Sequence, residues 1–530
     1  MSKSFKNISV VATATMVSRV LGLVRDQLVT AVFGASALAS AFYTAFALPN
    51  LFRRLLGEGA LTAALVPTLQ DEFAARQRPG AFALVNQVAS WLFVVTGTLV
   101  VVAMFVLSQA DRLVALMNRW EVDVDTVRRF GEASDLAVLL FPYLVFVCMA
   151  AAFSAALQTL NRFLEPALSP IWGNVSIIVF LAGAAYAGWS ASPEGQMLWL
   201  CWGALAGGFL QMAVPAGALM HEGWRPKFDL TVSPGMRQIV RLMGPMVFSS
   251  AIYLINMTVS RLIGLSLNDS AVTILNLATR LMELPIGVFA IAISTVIFPL
   301  IAKHAAARDW DNLGTSYRKG MRLILVINVP AAVGLVVLAA PIIRLLFQRG
   351  AFDGGDTEDM RPVLAVFAAG LPFLSFVNLA LRAFYAEKDT KTPVRAAVLS
   401  FIVNLGLSFA LMGRLGTTGL ALAGSLAVVV QAGYLQWHLS RRHPQLAFHH
   451  LVGTLAKVLI ASAIMGALEL TGWWAWERQL STSRLGEAGV LLLLIAGAVA
   501  IYGSLLWALK IEGREDLAAV FAKVRAKFSR

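Results

Sequence analysis

Six arginines and three acids sit inside long apolar stretches where an uncharged side chain would be expected: Arg19, Arg25, Arg53, Arg54, Arg261 and Arg280, with Asp26, Glu58 and Glu283. A charge at the centre of a bilayer costs on the order of 3 kcal/mol on insertion scales, so each one needs a partner or a task. Local pairing answers part of the set. Arg19 and Asp26 are seven residues apart and share a helix face two turns distant, and Arg25 adjoins Asp26. Arg54 and Glu58 are spaced i, i+4, and Arg280 and Glu283 i, i+3. Three acids offset only three arginines, which leaves a surplus of +3. All six cations are arginine, whose planar fork meets phosphate with two parallel N–H bonds where lysine offers a point charge. The surplus therefore points to a cationic, low-dielectric cavity that receives a diphosphate or another polyanionic head group. Snorkelling from a helix end, or structural pairing between helices, is the plainer reading for Arg54 and for Arg261, which lies a few residues from the end of its run.

The elements that must position these charges are membrane spans. Of 530 residues, 58% are hydrophobic and 14% charged, and the mean hydropathy is +0.73. Soluble domains carry about a quarter charged residues. The composition excludes a soluble enzyme, a disordered chain and a disulfide scaffold, and the lack of apolar–polar alternation argues against an outer-membrane barrel. Cys148 and Cys201 lie in apolar runs and read as small core residues, and the six histidines show no ligand spacing. About fourteen spans of roughly 20 residues are expected, at 8–33, 38–66, 85–109, 135–160, 167–188, 196–219, 239–267, 271–302, 321–345, 362–386, 395–413, 418–438, 451–471 and 488–509. The first run continues into a full span, so no cleavable signal peptide is expected. With the N-terminus inside, the inner segments carry 27 Lys and Arg against 10 in the outer ones. That asymmetry predicts both termini in the cytoplasm.

An internal echo suggests duplication. Phe141-Pro142-Tyr143-Leu144 returns as Leu371-Pro372-Phe373-Leu374, and the offset of 230 is kept by Phe146 and Phe376, Asn174 and Asn404, and Gly183 and Gly413. Ser18-Arg19-Val20-Leu21-Gly22-Leu23 returns as Ser260-Arg261-Leu262-Ile263-Gly264-Leu265, and Ala204-Leu205-Ala206-Gly207 as Ala421-Leu422-Ala423-Gly424. Six spans is an even number, so both copies have one topology, as in parallel repeats around a central cavity. The expected fold is an all-α polytopic protein: a lobe at 1–220, a cytoplasmic linker at 221–238, a second lobe at 239–440, two extra helices at 441–509 and a basic tail at 510–530.

Other chemistry finds little support. A Walker P-loop is absent, so ATP is not expected to drive the chain. Asp123-Val124-Asp125 reads as a solvated face rather than a metal site, and Gly203 to Gly207 as ordinary close helix packing. The segment 308–320 and the tail 513–530 read as basic amphipathic surface helices. The pI near 10 arises from loops that would face anionic lipid, so nucleic acid is not an expected partner.

The stretch Ser18-Arg19-Val20-Leu21-Gly22-Leu23-Val24-Arg25-Asp26, then Leu48-Pro49-Asn50-Leu51-Phe52-Arg53-Arg54 and Glu58-Gly59-Ala60, with Arg280-Leu281-Met282-Glu283 further on, resembles the MurJ (MviN) family. These are lipid II flippases of bacterial peptidoglycan synthesis, within the multidrug/oligosaccharidyl-lipid/polysaccharide exporter superfamily. The resemblance covers essentially the whole chain. It implies two six-helix lobes in a V, an arginine-rich central cavity and two further helices that hold a polyprenyl tail. It implies substrate-binding roles for Arg19, Arg25, Asp26, Arg53 and Arg280, with Asn50, Arg54, Glu58, Thr273 and Glu283 as secondary candidates. The family often has an acid just before the Ala-Phe of span two, where this chain has Ser40 ahead of Ala41-Phe42. That departure leaves the cavity more positive or moves the counter-charge elsewhere.

The resemblance thus implies a transporter without catalytic residues, metal or organic cofactor, drawing on membrane potential or a monovalent cation. Its expected partners are lipid II, membrane lipids and the cell-wall synthesis machinery, in the bacterial inner membrane. Glu283 is the one embedded acid expected in the second lobe. A flippase for another polyprenyl-diphosphate oligosaccharide would suit the same charges. A drug/cation antiporter of this fold suits them less, because a cationic cavity repels a cationic drug. An integral-membrane glycosyltransferase would need converging acids, and only the Asp123/Asp125 pair offers them.

Overall fold

Backbone that crosses lipid must satisfy its own hydrogen bonds, and a helix does so within one segment. The computed structural model describes residues 3–53, 60–109, 123–286, 291–479 and 484–511, and among these no strand occurs. The all-α expectation holds. In chain order the α-helices are α1 (Lys3–Phe33), α2 (Ala37–Phe52), α3 (Ala60–Ser108), α4 (Val124–Leu140), α5 (Tyr143–Thr159), α6 (Leu164–Tyr186), α7 (Pro193–His221) and α8 (Pro234–Leu267). There follow α9 (Ala271–Pro285), α10 (Ile291–Ala306), α11 (Trp310–Val337), α12 (Ala339–Phe347), α13 (Gly354–Ala386), α14 (Lys391–Arg442), α15 (Val452–Gln479) and α16 (Arg484–Ala508). By length and composition, eight stretches of the described residues could cross a membrane, or nine if a bent pair counts as one span.

Breaks fall where the backbone chemistry demands them. Two long helices each contain a left-handed residue: Gln77 (φ 56°) in α3, two positions before Pro79, and Gly416 (φ 54°) in α14. Glycine adopts that conformation without steric penalty. The expected span 135–160 is two helices, α4 and α5, bent by 44° around Phe141-Pro142, where proline supplies no N–H for the ladder. The expected amphipathic helix at 308–320 is the first part of a longer one, with Asp311, Thr315 and Lys319 exposed. Asp309 caps Asn312 N, and α11 then runs unbroken from Trp310 to Val337 with Leu313 and Tyr317 already buried. The tail 513–530 lies outside the described residues.

Two compact units divide the chain: residues 1–273 with 349–352, and 274–348 with 353–530. In the first, Phe42, Leu140, Leu144, Leu181 and Leu200 form one apolar core, and Leu61, Leu65, Phe153, Leu157 and Trp224 another. Small residues bring α6 and α7 together. A methyl group on Gly207 would lie 2.9 Å from Gly173 Cα, so the Gly203–Gly207 spacing serves close packing, as expected. Cys148 and Cys201 are fully buried core residues. The segment after α7 is extended and fastened to α3: Asn86 accepts from Trp224 Nε1 at 2.9 Å, Ser90 from the Asp229 amide at 2.9 Å, and Gln87 donates to Thr231 at 2.9 Å.

In the second unit the core is built from α10, α11, α13, α14, α15 and α16, with Tyr317, Phe384 and Leu435 at its centre. The Tyr502 hydroxyl donates to Val326 O at 2.8 Å and ties α16 to α11. Trp310 stacks on His443 with ring centroids 4.1 Å apart.

Candidate substrate-binding residues

Asp26 is fully buried in α1, and a buried carboxylate requires a partner. It finds one in its neighbour. Arg25 donates to Asp26 Oδ1 from Nη2 at 2.7 Å and from Nε at 3.1 Å. A third bond crosses to α6, from Arg25 Nη1 to Asn174 Oδ1 at 3.1 Å. Asn174 in turn donates from Nδ2 to Ser18 O at 3.2 Å, so one amide fixes both the α1 backbone and the guanidinium. A guanidinium carries five N–H donors. Asp26 and Asn174 engage three, which leaves one on each terminal nitrogen for an incoming oxyanion. Arg19, by contrast, is exposed, so the expected Arg19–Asp26 pairing gives way to the adjacent arginine.

Arg53 stands half-buried at the end of α2. Pro49 lacks an N–H and so leaves the Ala45 carbonyl without its helical donor. Asn50 Nδ2 donates one residue further on, to Phe46 O at 2.8 Å. Arg54 and Glu58 lie outside the described residues. In α9, Arg280 Nη1 reaches Glu283 Oε2 at 3.5 Å, and both side chains stay largely exposed at 41% and 49%. The expected i, i+3 pair is present. Arg261 does not snorkel: its Nη1 donates to Tyr43 O at 2.8 Å, a bond from α8 to α2.

Ser40, the departure from the acid that the resembling family often has, is fully buried where α2 meets the start of α9. Its hydroxyl donates to Asp269 O at 2.6 Å, accepts from the Thr273 amide at 3.3 Å and lies 3.0 Å from Thr273 Oγ1. Thr273 is therefore fully buried and turned to Ser40, which removes it as a free hydroxyl for a ligand. The acid at this junction is Asp269. Its carboxylate meets Arg129 Nη1 at 3.0 Å and Arg128 Nη2 at 3.3 Å. Arg129 is only 6% exposed, and its other donors reach Leu265 O, Ser266 O and Thr126 Oγ1. Asp123 of the acidic triplet caps α4 by accepting from Thr126 N at 3.2 Å.

Two buried charged residues escaped the sequence reading. Arg129 sits beyond the apolar run of α4 and counts as a loop residue by hydropathy. Glu469 lies inside the expected span 451–471, yet its closeness to the end of that run placed it among loop acids. It is 4% exposed in α15, beyond the second lobe at 239–440 to which the Glu283 expectation applies. Asn174 was visible only as half of the Asn174/Asn404 echo, and nothing in its local sequence links it to Arg25.

A bundle of long, kinked, apolar helices with partly engaged arginines among them defines a polytopic membrane transporter. Among solved structures the fold resembles one described as lipid II flippase MurJ in an inward closed conformation, with a TM-score of 0.74 and 23% identity, covering 94% of this chain and 99% of that one. It also resembles an inward-facing multidrug resistance MATE family transporter of the MOP superfamily, with a TM-score of 0.63 and 16% identity, over 84% and 99% of the two chains.

Sequence comparison is more specific. Residues 29–487 match the family described as lipid II flippase MurJ. A probable lipid II flippase MurJ of Rhizobium tropici is 32% identical over 507 residues, 94% of this chain and 92% of that one. The lipid II flippase MurJ of Burkholderia cenocepacia is 28% identical over 517 residues, 95% and 97% of the two chains. The chain belongs to the MurJ family.

Proposed function

We propose that this protein carries lipid II, a polyprenyl-diphosphate-linked disaccharide-pentapeptide, from the cytoplasmic to the periplasmic leaflet of the bacterial inner membrane by alternating access. The observation that carries the reading is Arg25, held by Asp26 and Asn174 with two N–H donors left over. Arg19, Arg53 and Arg280 supply further guanidinium groups for the diphosphate. Asn50, Arg54, Glu58 and Glu283 shape the field around them. The α15 and α16 helices accompany the lipid tail. The excess of inner Lys and Arg supports cytoplasmic termini.

Membrane potential, negative inside, favours outward movement of an anion by about 2.3 kcal/mol per charge per 100 mV. Two phosphate charges give a bias comparable to the insertion cost of one buried arginine. That bias can drive the loaded step without ATP. Handing the product to cell-wall synthesis enzymes outside would keep the reaction moving forward.

Depleting the protein in its own cells and measuring which leaflet holds lipid II tests this reading. Accumulation on the cytoplasmic leaflet is the expected result. Unchanged distribution, with normal wall synthesis, would contradict it.

A further inference from the structure

One buried acid has no place in the substrate site. Glu469 of α15 is 4% exposed, and its Oε2 has no hydrogen-bond partner among the described residues. Opposite it, α11 carries Gly334: a Cβ there would stand 3.6 Å from both carboxyl oxygens. The glycine leaves the space in which the carboxyl lies. An ionisable group at membrane depth is a functional candidate until a structural partner is found, and among the described residues none is.

The surroundings narrow what Glu469 can bind. From α11 Gly334 faces the carboxyl, Val333 and Val337 lie against Gly466 about one turn earlier on α15, and the nearest titratable residue on α11 is Arg322, more than three turns back. From α16 the titratable side chains are Arg484 and Glu487 at its start and Tyr502, whose hydroxyl is bonded to Val326 O. Glu487 meets Arg344 of α12 at 3.6 Å, and Arg344 meets Glu477 of α15 at 3.1 Å. On α15 itself Lys457 lies three turns before Glu469 and Glu477 two turns after. Among the described residues no cation and no donor reaches Glu469. A metal ion would need several oxygen ligands, and no cluster of three His, Cys, Asp or Glu occurs among the described residues. A proton needs one carboxyl and nothing else.

We propose that Glu469 is a proton-binding site of the α11–α15 interface and that its occupancy sets the rate of transport. The step is a simple equilibrium: the carboxylate takes one proton from water to become a carboxylic acid, and returns it. Exchange runs along α15 toward Glu477, half-exposed at 50% and roughly 12 Å away along the helix axis. As the neutral acid, Glu469 packs against Gly334 and α11 sits close to α15. As the carboxylate it draws water in, and the two helices part. The transport half of this proposal rests on the flippase reading above, and the proton-binding half does not.

The test uses the full-length protein. Dicyclohexylcarbodiimide adds to protonated carboxyls in apolar surroundings, so an adduct mapped by mass spectrometry reads the site directly. The expected adduct falls on Glu469, declines as the pH is raised from about 5 to about 9, and is absent in Glu469→Gln. Absence of any adduct on Glu469 in the wild type would overturn the site, whatever transport does. In proteoliposomes the wild-type rate of lipid II movement should change with pH by as much as tenfold per unit, the slope of one titrating proton. Glu469→Gln, which keeps shape but takes no proton, should flatten that profile. Flattening without loss of thermal stability supports the link. The same pH profile of transport in both proteins overturns it, and so does a Glu469-dependent response to sodium at fixed pH.

Discussion

Arg25 Nη1 and Asn174 Oδ1 lie 3.1 Å apart, joining residues 149 positions distant in the chain. The same asparagine donates to Ser18 O on the helix that carries Arg25. It therefore orients the guanidinium instead of merely touching it. Asn174→Ala should free Arg25 to swing and remove a bond to a charged group, typically about 1.5–3 kcal/mol. The expected outcome is a slowing of lipid II movement by about tenfold or more, partly restored by Asn174→Gln. A wild-type rate for Asn174→Ala would show that Asp26 alone positions Arg25.

Asp26 and Arg25 should be energetically coupled. Removing the carboxylate leaves a guanidinium that is 15% exposed without its buried counter-charge, and breaking such a pair on one side costs about 3–5 kcal/mol when it is fully buried. Asp26→Ala should lower thermal stability in detergent more than Arg25→Ala/Asp26→Ala does. A double mutant at least as unstable as the sum of the two singles would exclude the coupling.

Ser40→Ala removes the acceptor for the Thr273 amide and the donor to Asp269 O. The first turn of α9 then loses a cap, a loss of about 1 kcal/mol. Hydrogen exchange of the 271–273 amides should rise. Unchanged protection there would mean that Arg128 and Arg129 hold the junction through Asp269 without the serine.

Acid should weaken the turn between α13 and α14. Burial works against the charge of Asp389, but the Thr392 hydroxyl at 2.7 Å, its amide at 3.0 Å and Arg442 at 2.7 Å outweigh it and hold the carboxyl at about 2. The folded value lies below the unfolded one of about 4, so the ionised form favours the fold. Its contribution, about 2 kcal/mol, is complete above pH ~4 and disappears as the pH falls through about 2. Asp389→Asn should be less stable than wild type near pH 6, and the gap should narrow below about pH 4 and close below about pH 2. A constant gap would point to packing instead of charge.

Much of this molecule was legible from residues alone, for identifiable reasons. Apolar runs long enough to cross lipid must be helical, which is why the all-α reading followed from composition. The pairing of Arg280 with Glu283 follows from helical periodicity, whereas the break at Pro142 is hidden inside what reads as the single apolar run 135–160. Arg25 with Asp26 was readable as neighbours. Long-range relationships were not. Asn174 reaches Arg25 only because α6 packs on α1, and Asp269 stands beside Ser40 only because the α8–α9 turn lies against α2. Hydropathy reads the length of an apolar run and is blind to what covers its ends. That is why Arg129 and Glu469, both near run ends, counted as loop charges although the fold buries them.

The central claim is that arginine donors carry the diphosphate of lipid II across the membrane. It is tested most directly in vesicles loaded with lipid II on one leaflet, by the rate at which the head group becomes accessible on the other. Wild-type protein should accelerate that rate, while Arg25→Ala, Arg53→Ala and Arg280→Ala, each folded and inserted normally, should not. A variant lacking any of these guanidinium groups that moves lipid II at the wild-type rate would contradict the account.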